Sequence, residues 1–113
     1  MAAGYQELFV EQGANYSTSI TLDDSNGAAY NLVGYMAKSQ MKKSYYSTNA
    51  TAEFTTTVAS PANGIITLTM TSDATSNIAA GRYVYDVVIK SSSNTVTRVL
   101  EGIVNIIPQV TKF

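Results

Sequence analysis

Residues 82–107 read RYVYDVVIK-SSSN-TVTRVLEGIVNII. Two long runs of β-branched and aromatic residues flank a cluster of Ser and Asn, the pattern of two antiparallel strands joined by a turn. In the first run Tyr83, Tyr85, Val87 and Ile89 share one face, while Val84, Asp86, Val88 and Lys90 share the other. Ser91 to Asn94 turns the chain, Thr95 to Ile107 returns, and Pro108 ends the return strand because it lacks a backbone donor. Gly102 sits inside that strand, which predicts either a bulge or a close backbone approach.

The same grammar extends back to the N-terminus. Tyr5 to Gln12 reads as a strand and so does Tyr16 to Leu22, with Tyr16, Thr18, Ile20 and Leu22 of one parity and Ser17, Ser19 and Thr21 of the other. Asp23 to Gly27 is a turn, since Asn26-Gly27 supplies the positive φ of a tight reversal. Ala28 to Leu32 is read as a short strand. After Gly34 a main strand runs to Lys42, with Tyr35, Ala37, Ser39 and Met41 on one face and Met36, Lys38, Gln40 and Lys42 on the other.

Ser44 to Asn49 is a polar loop, Thr51 to Val58 a Thr-rich strand, and Pro61 to Gly64 a second turn. In Ile65 to Thr71, Ile66, Leu68 and Met70 face inward and the threonines outward. One helical turn is expected over Ala74 to Ile78, with Ser72 or Asp73 as N-cap and Gly81 closing the segment. About seven strands with short connections predict an all-β fold, an immunoglobulin-like two-sheet antiparallel sandwich with one short helical turn, a small barrel being the less favoured alternative. All 113 residues form a single domain.

Composition removes several classes of chemistry. The chain has no Cys, so disulfides, thiolate nucleophiles and Cys-based metal sites are excluded, and no His, the commonest general base and transition-metal ligand. Only 13% of residues are charged and the net charge is −1, with only Lys42-Lys43 adjacent among the bases. That leaves no footprint for nucleic acid or an anionic membrane. No apolar run approaches the ~20 residues of a membrane span, and Met1 to Glu7 is not a secretory signal. The expectation is synthesis in a cytoplasm without a membrane anchor. In that setting the acceptor patterns at Asn15 and Asn49 carry no glycan.

The remaining candidates each have a simpler account. Asp23 to Gly27 looks like the start of a Ca²⁺ loop, but the spacing is wrong and no bidentate Glu follows, so a turn explains it and no metal or cofactor is expected. Asp86 and Glu101 are a conceivable acid–base pair, yet neighbouring strands with Arg98 and Lys90 nearby favour cross-strand ion pairing, and no catalytic residue is assigned. Tyr45 and Tyr46, adjacent in a polar loop, are the candidate recognition residues for a host-surface glycan or receptor.

The order of features resembles the small N-terminal domain of phage baseplate upper proteins and related tail components. The likeness is carried by Gln12-Gly13, Asn26-Gly27, Tyr30 to Gly34, Gly64, Ile66 to Thr69, Ser72 to Ile78, Gly81 to Asp86 and Leu100 to Val104. It implies an immunoglobulin-like sandwich serving as a non-enzymatic structural module of a virion, with tail, baseplate, neck and capsid decoration all open. The implied partners are other virion proteins and further copies of the chain itself. Independently, the last hairpin is apolar on both faces. Val84, Val88 and Val99 are read as outward-facing residues that the fold alone does not cover, and so as an assembly interface. A bulge at Gly102 is the expected device for returning Ile103 to the core.

Overall fold

The computed structural model describes residues 4–24 and 26–112. Ser25, in the expected turn after the second strand, lies outside them. Among these residues eight strands are present: β1 (Gly4–Tyr5), β2 (Leu8–Glu11), β3 (Tyr16–Thr21), β4 (Met36–Lys42), β5 (Ala52–Ser60), β6 (Ile65–Met70), β7 (Gly81–Lys90) and β8 (Val96–Ile107). A 3-10 turn spans Pro61–Asn63 and one short helix, α1, spans Ser72–Ser76.

The strands form a β-sandwich of the immunoglobulin-like type, made from one curled path in the order β1-β8-β7-β4-β5-β6-β3, with β2 also on β8. Strand β5 belongs to both layers. Its first residues, Ala52 to Phe54, pair with β4, and Thr55 onward pairs with β6. Inward side chains of both layers fill the space between, including Val10, Met41, Phe54, Ile66, Leu68, Val87, Ile89 and Val104. Tyr16, Phe54 and Tyr85 bridge the layers in sequence, with successive ring centroids 6.1 Å apart and tilted or edge-on as ring quadrupoles prefer.

The sheet is mixed rather than purely antiparallel. The expected first strand is broken at Gln6-Glu7 into β1 and β2, and both lie parallel to β8, with Gly4 opposite Leu100 and Leu8 opposite Val104. Ala28 to Leu32 does not form a strand: Ala29 makes an isolated bridge to Asp23, and buried Leu32 donates its N–H to the Pro61 carbonyl at 2.8 Å. The helix begins at Ser72, its cap being Thr71, whose hydroxyl accepts from the Ala74 N–H at 3.2 Å.

Strand β8 contains the main departure from simple alternation. Val87 faces Leu100 and Val88 faces Arg98, so Val99 is an extra residue. Upstream, Thr97 shares the inward parity of Ile89; downstream, Leu100, Gly102, Val104 and Ile106 do. A bulge thus sits at Val99, not at Gly102, and swings both Val99 and Leu100 into the core. Val99 is only 3% exposed, which removes it from the proposed interface. Ile103 stays outside, opposite Val84.

Gly102 answers to the other expectation, a close approach. A Cβ there would lie 2.0 Å from the Gln6 carbonyl oxygen and 3.2 Å from the Tyr85 ring. The Tyr85 hydroxyl donates to the same carbonyl at 2.7 Å, and burial pushes its phenol pKa well above the ordinary tyrosine value. The N-terminal segment is therefore clamped across β8 at a point where only a hydrogen can stand. Gly102→Ala should cost about 3 kcal/mol of stability or more, because the neighbouring atoms are backbone and an aromatic ring rather than a flexible side-chain end. Urea denaturation of the two proteins measures this.

Candidate assembly surface

The outer face of the β8-β7-β4 layer is built from paired rows. From one end they are Lys42–Val84–Ile103, Gln40–Asp86–Glu101, Lys38–Val88–Arg98 and Met36–Lys90–Val96. The β2 strand extends the face with Phe9, which lies opposite Asn105. Alternation places these residues outward while their neighbours enter the core. Val84 and Val88 are half-buried on this face, in the orientation expected of them. Met36, 71% exposed, and Val96, 60% exposed, add to the apolar stripe.

The rows line a shallow, open hollow of about 580 Å³ whose walls include Met36, Lys38, Val88, Lys90 and Val96. At its far side Gln40 Nε2 stands 3.4 Å from Glu53 Oε2. Alternation along β4 places Met36 on this face. The sequence signal for Val96 is its position beside the turn, opposite Lys90.

The charged groups on the face are arranged by the bulge. In a regular strand residues 98 and 101 face opposite ways; the extra residue brings them to one face, and Arg98 Nη2 stands 3.0 Å from Glu101 Oε2. Both are substantially solvated, so the pair contributes little stability and chiefly offsets the placing of Asp86 directly opposite Glu101. Burial pushes the Asp86 carboxyl above its usual pKa, while Arg98 and Lys42 pull it down and Glu101 pushes it further up. Asp86 and Glu101 thus face each other across β7 and β8. The ion pair, however, runs within β8, from Arg98 to Glu101, rather than across the strands as expected, and Lys90 lies in another row.

Tyr45 and Tyr46 are thrown outward by a tight turn. The Ser47 N–H donates to the Ser44 carbonyl at 3.1 Å and the Ser44 N–H to Ser47 Oγ at 3.2 Å, leaving the two rings as the central residues. Tyr45 lines a smaller hollow of about 160 Å³ with Gln40, Lys42, Val84 and Asp86, continuous with the outer face. Tyr46 is 96% exposed. The two rings therefore border the Val84 end of the same surface rather than forming a separate platform.

Several polar groups elsewhere are consumed by structure. Asp24 Oδ1 accepts from the Asn26 and Ala28 N–H groups at 2.8 and 3.0 Å, which is turn chemistry. Fully buried Thr75 ties α1 to the β2–β3 turn, donating to the Ala14 carbonyl at 2.8 Å and accepting from the Gly13 N–H at 3.0 Å. Gln12 Nε2 adds a bond to the Ile78 carbonyl at 2.8 Å. Among the described residues no three carboxylates gather into a potential metal cluster. No helix among them is long and apolar enough to cross a membrane.

No protein-family model matches the chain, and no curated protein matches it. Among solved structures, CopC from Methylosinus trichosporium OB3b is similar over 94% of this chain and 90% of that one, with a TM-score of 0.50 and 12% identity. The bacterial superantigen toxic shock syndrome toxin-1 is similar over 91% of this chain and 92% of that one, at a TM-score of 0.48 and 19% identity. At such identities the likeness to CopC speaks to the β fold alone.

The raised pKa of Asp86 has a consequence for stability. A carboxyl whose folded pKa lies above its unfolded value favours folding while protonated, and that contribution is lost as pH rises through the folded pKa. Asp86→Asn should therefore raise the urea midpoint at pH 7, and the gain should vanish below the ordinary Asp value of 3.8. Denaturation curves at the two pH values check it.

Proposed function

We propose that the chain is a non-enzymatic structural protein of a bacteriophage particle, acting through protein–protein assembly in a tail, baseplate, neck or capsid-decoration position. The observation that carries assembly is the outer face of β4, β7 and β8, where Met36, Val84, Val88, Val96 and Ile103 stand where an isolated sandwich would place polar side chains. Support for the virion setting comes from the sequence resemblance described above and from a surface rich in Ser, Thr and Asn. Such groups satisfy hydrogen bonds at a contact without the desolvation cost of full charges. In this reading the protein is made in the host cytoplasm and ends in the particle, and its partners are other virion proteins and further copies of itself.

Burial of this face removes apolar area from water at ~25 cal/mol per Å², so a few valines and a methionine contribute several kcal/mol before association costs. Val88 lies at the centre of the stripe and its outward position tolerates a long polar side chain. Val88→Lys should lower the oligomeric state seen by sedimentation velocity, with the circular dichroism spectrum unchanged. A wild-type chain that is monomeric at every concentration, and a variant that sediments identically, would remove this reading.

The exposure of Tyr46 and the position of Tyr45 beside Gln40, Lys42 and Asp86 favour a second reading, recognition of a host-surface glycan or receptor. An aromatic ring flanked by amide, ammonium and carboxylate groups suits a sugar's apolar face and its hydroxyls. The pair of changes Tyr45→Ala and Tyr46→Ala should then abolish binding of the labelled protein to host cells while leaving the circular dichroism spectrum unaltered. Absence of cell binding by the unmodified protein sinks it.

A further inference from the structure

Strand β3 ends the sheet path and pairs with β6 alone among the described residues. The phase of that ladder is fixed by the Leu22 N–H, which donates to the Gly64 carbonyl at 2.8 Å. Backbone groups alternate in direction along a strand, so Tyr16, Thr18 and Ile20 point toward β6 with Leu22. Ser17, Ser19 and Thr21 then direct their N–H and C=O groups at the free edge. Their positions opposite Thr69, Thr67 and Ile65 are the non-bonded pairs of the ladder, consistent with the 3.5 Å approach of the Ser19 and Thr67 hydroxyls.

Natural sheets defend such an edge with charge, Pro or a bulge. Strand β3, YSTSIT, has none of these: it is uncharged, contains no Pro and keeps an unbroken register with β6. The other end of the path is treated differently, since β1 and β2 cover much of β8. Beside the β3 edge, between Ser19–Thr21 and Gly4, Gln6 and Leu100, lies an open hollow of about 510 Å³ that leaves the edge approachable.

We propose that the β3 edge pairs with the β3 edge of a second copy, antiparallel and about a two-fold axis at Ser19. The sequence is self-complementary in that register. Ser17 faces Thr21 of the other copy, Ser19 faces its own counterpart, and Thr18 faces Ile20, so hydroxyl meets hydroxyl on the outer side and no charge meets like charge. The first charged residue beyond the strand, Asp23, falls opposite Asn15. Each outward residue regains the backbone partners it lacks, and the β5-β6-β3 layers of the two copies become one continuous sheet. The surface is distinct from the Val88 face, and the symmetry is isologous.

The two-fold axis makes the test sharp, because any charge placed at residue 19 faces itself. The Ser19 side chain is exposed and its hydroxyl makes only the long approach to Thr67 among the described side-chain hydrogen bonds, so the monomer fold accommodates a change there. In a Val88→Lys background, which silences the outer face, the chain should sediment as a dimer. Adding Ser19→Lys or Ser19→Glu should raise the dissociation constant at least about tenfold, as like charges juxtaposed at an interface do. An equimolar mixture of the Lys and Glu variants should restore the dimer. A Val88→Lys chain that is already monomeric overturns the proposal, as does a dimer indifferent to both charges or one that the mixture fails to recover. Failure of the outer-face reading looks different: Ser19→Lys alone gives a monomer while Val88→Lys alone changes nothing.

Discussion

A β-strand offers its side chains to two faces in strict alternation, and a strand that must serve two different partners along its length has to break that rule somewhere. Strand β8 breaks it with Val99. Upstream of this residue the odd-numbered positions look inward, and downstream the even-numbered ones do. The shift buries Val99 and Leu100 together, aligns Gly102 under Gln6, and leaves Arg98 and Glu101 on one outer face at bonding distance. Without the extra residue, Arg98 and Glu101 would lie on opposite sides of the sheet. The residues that share the outer face of β4, β7 and β8 are thus set by a backbone irregularity near its centre.

Behind that surface the layers are joined so that the face has little freedom to deform. Strand β5 passes from one layer into the other, and the Tyr16–Phe54–Tyr85 ring chain spans the interior at the same level. Buried Ser39 donates to the Asp86 carbonyl at 2.6 Å, tying β4 to β7 from below the row that carries Asp86. Thr56 Oγ1 donates to the Ala37 carbonyl at 2.6 Å and adds a second tie, from β5 to β4. Such ties leave the outer face less side-chain and backbone freedom to lose on any contact.

Much of this could be read from residue order. The parities of β3, β4, β6 and β7 follow from alternation alone, as does the outward placing of Val84 and Val88. The exposure of Tyr46 follows from two large rings inside a Ser-bounded tight turn. What escaped was decided by pairing over long sequence distances. The bulge at Val99 depends on how β8 is held against β7, and nothing in Thr97-Arg98-Val99-Leu100 marks the extra residue, since each of those types suits a regular strand. The split of the first strand and its parallel seat on β8 were equally hidden, because local pattern carries no information about which distant strand a segment will join. Gly102 signalled that something unusual happens there, but not that the cause was Gln6, far away in the chain.

The parallel seat of β2 on β8 also fixes how the domain responds to tension. These strands lie toward opposite ends of the chain and run in the same direction, with Leu8 to Glu11 alongside Val104 to Ile107. Pulling the two ends apart drags the strands past each other lengthwise, so the bonds between them bear the load in concert rather than opening one after another like a zip. The Tyr85 bond to the Gln6 carbonyl, made over Gly102, lies across the path of that slip. Resistance to such a pull is set by the barrier to unfolding rather than by equilibrium stability. Under tension such a sandwich acts as a link that holds until it is sheared.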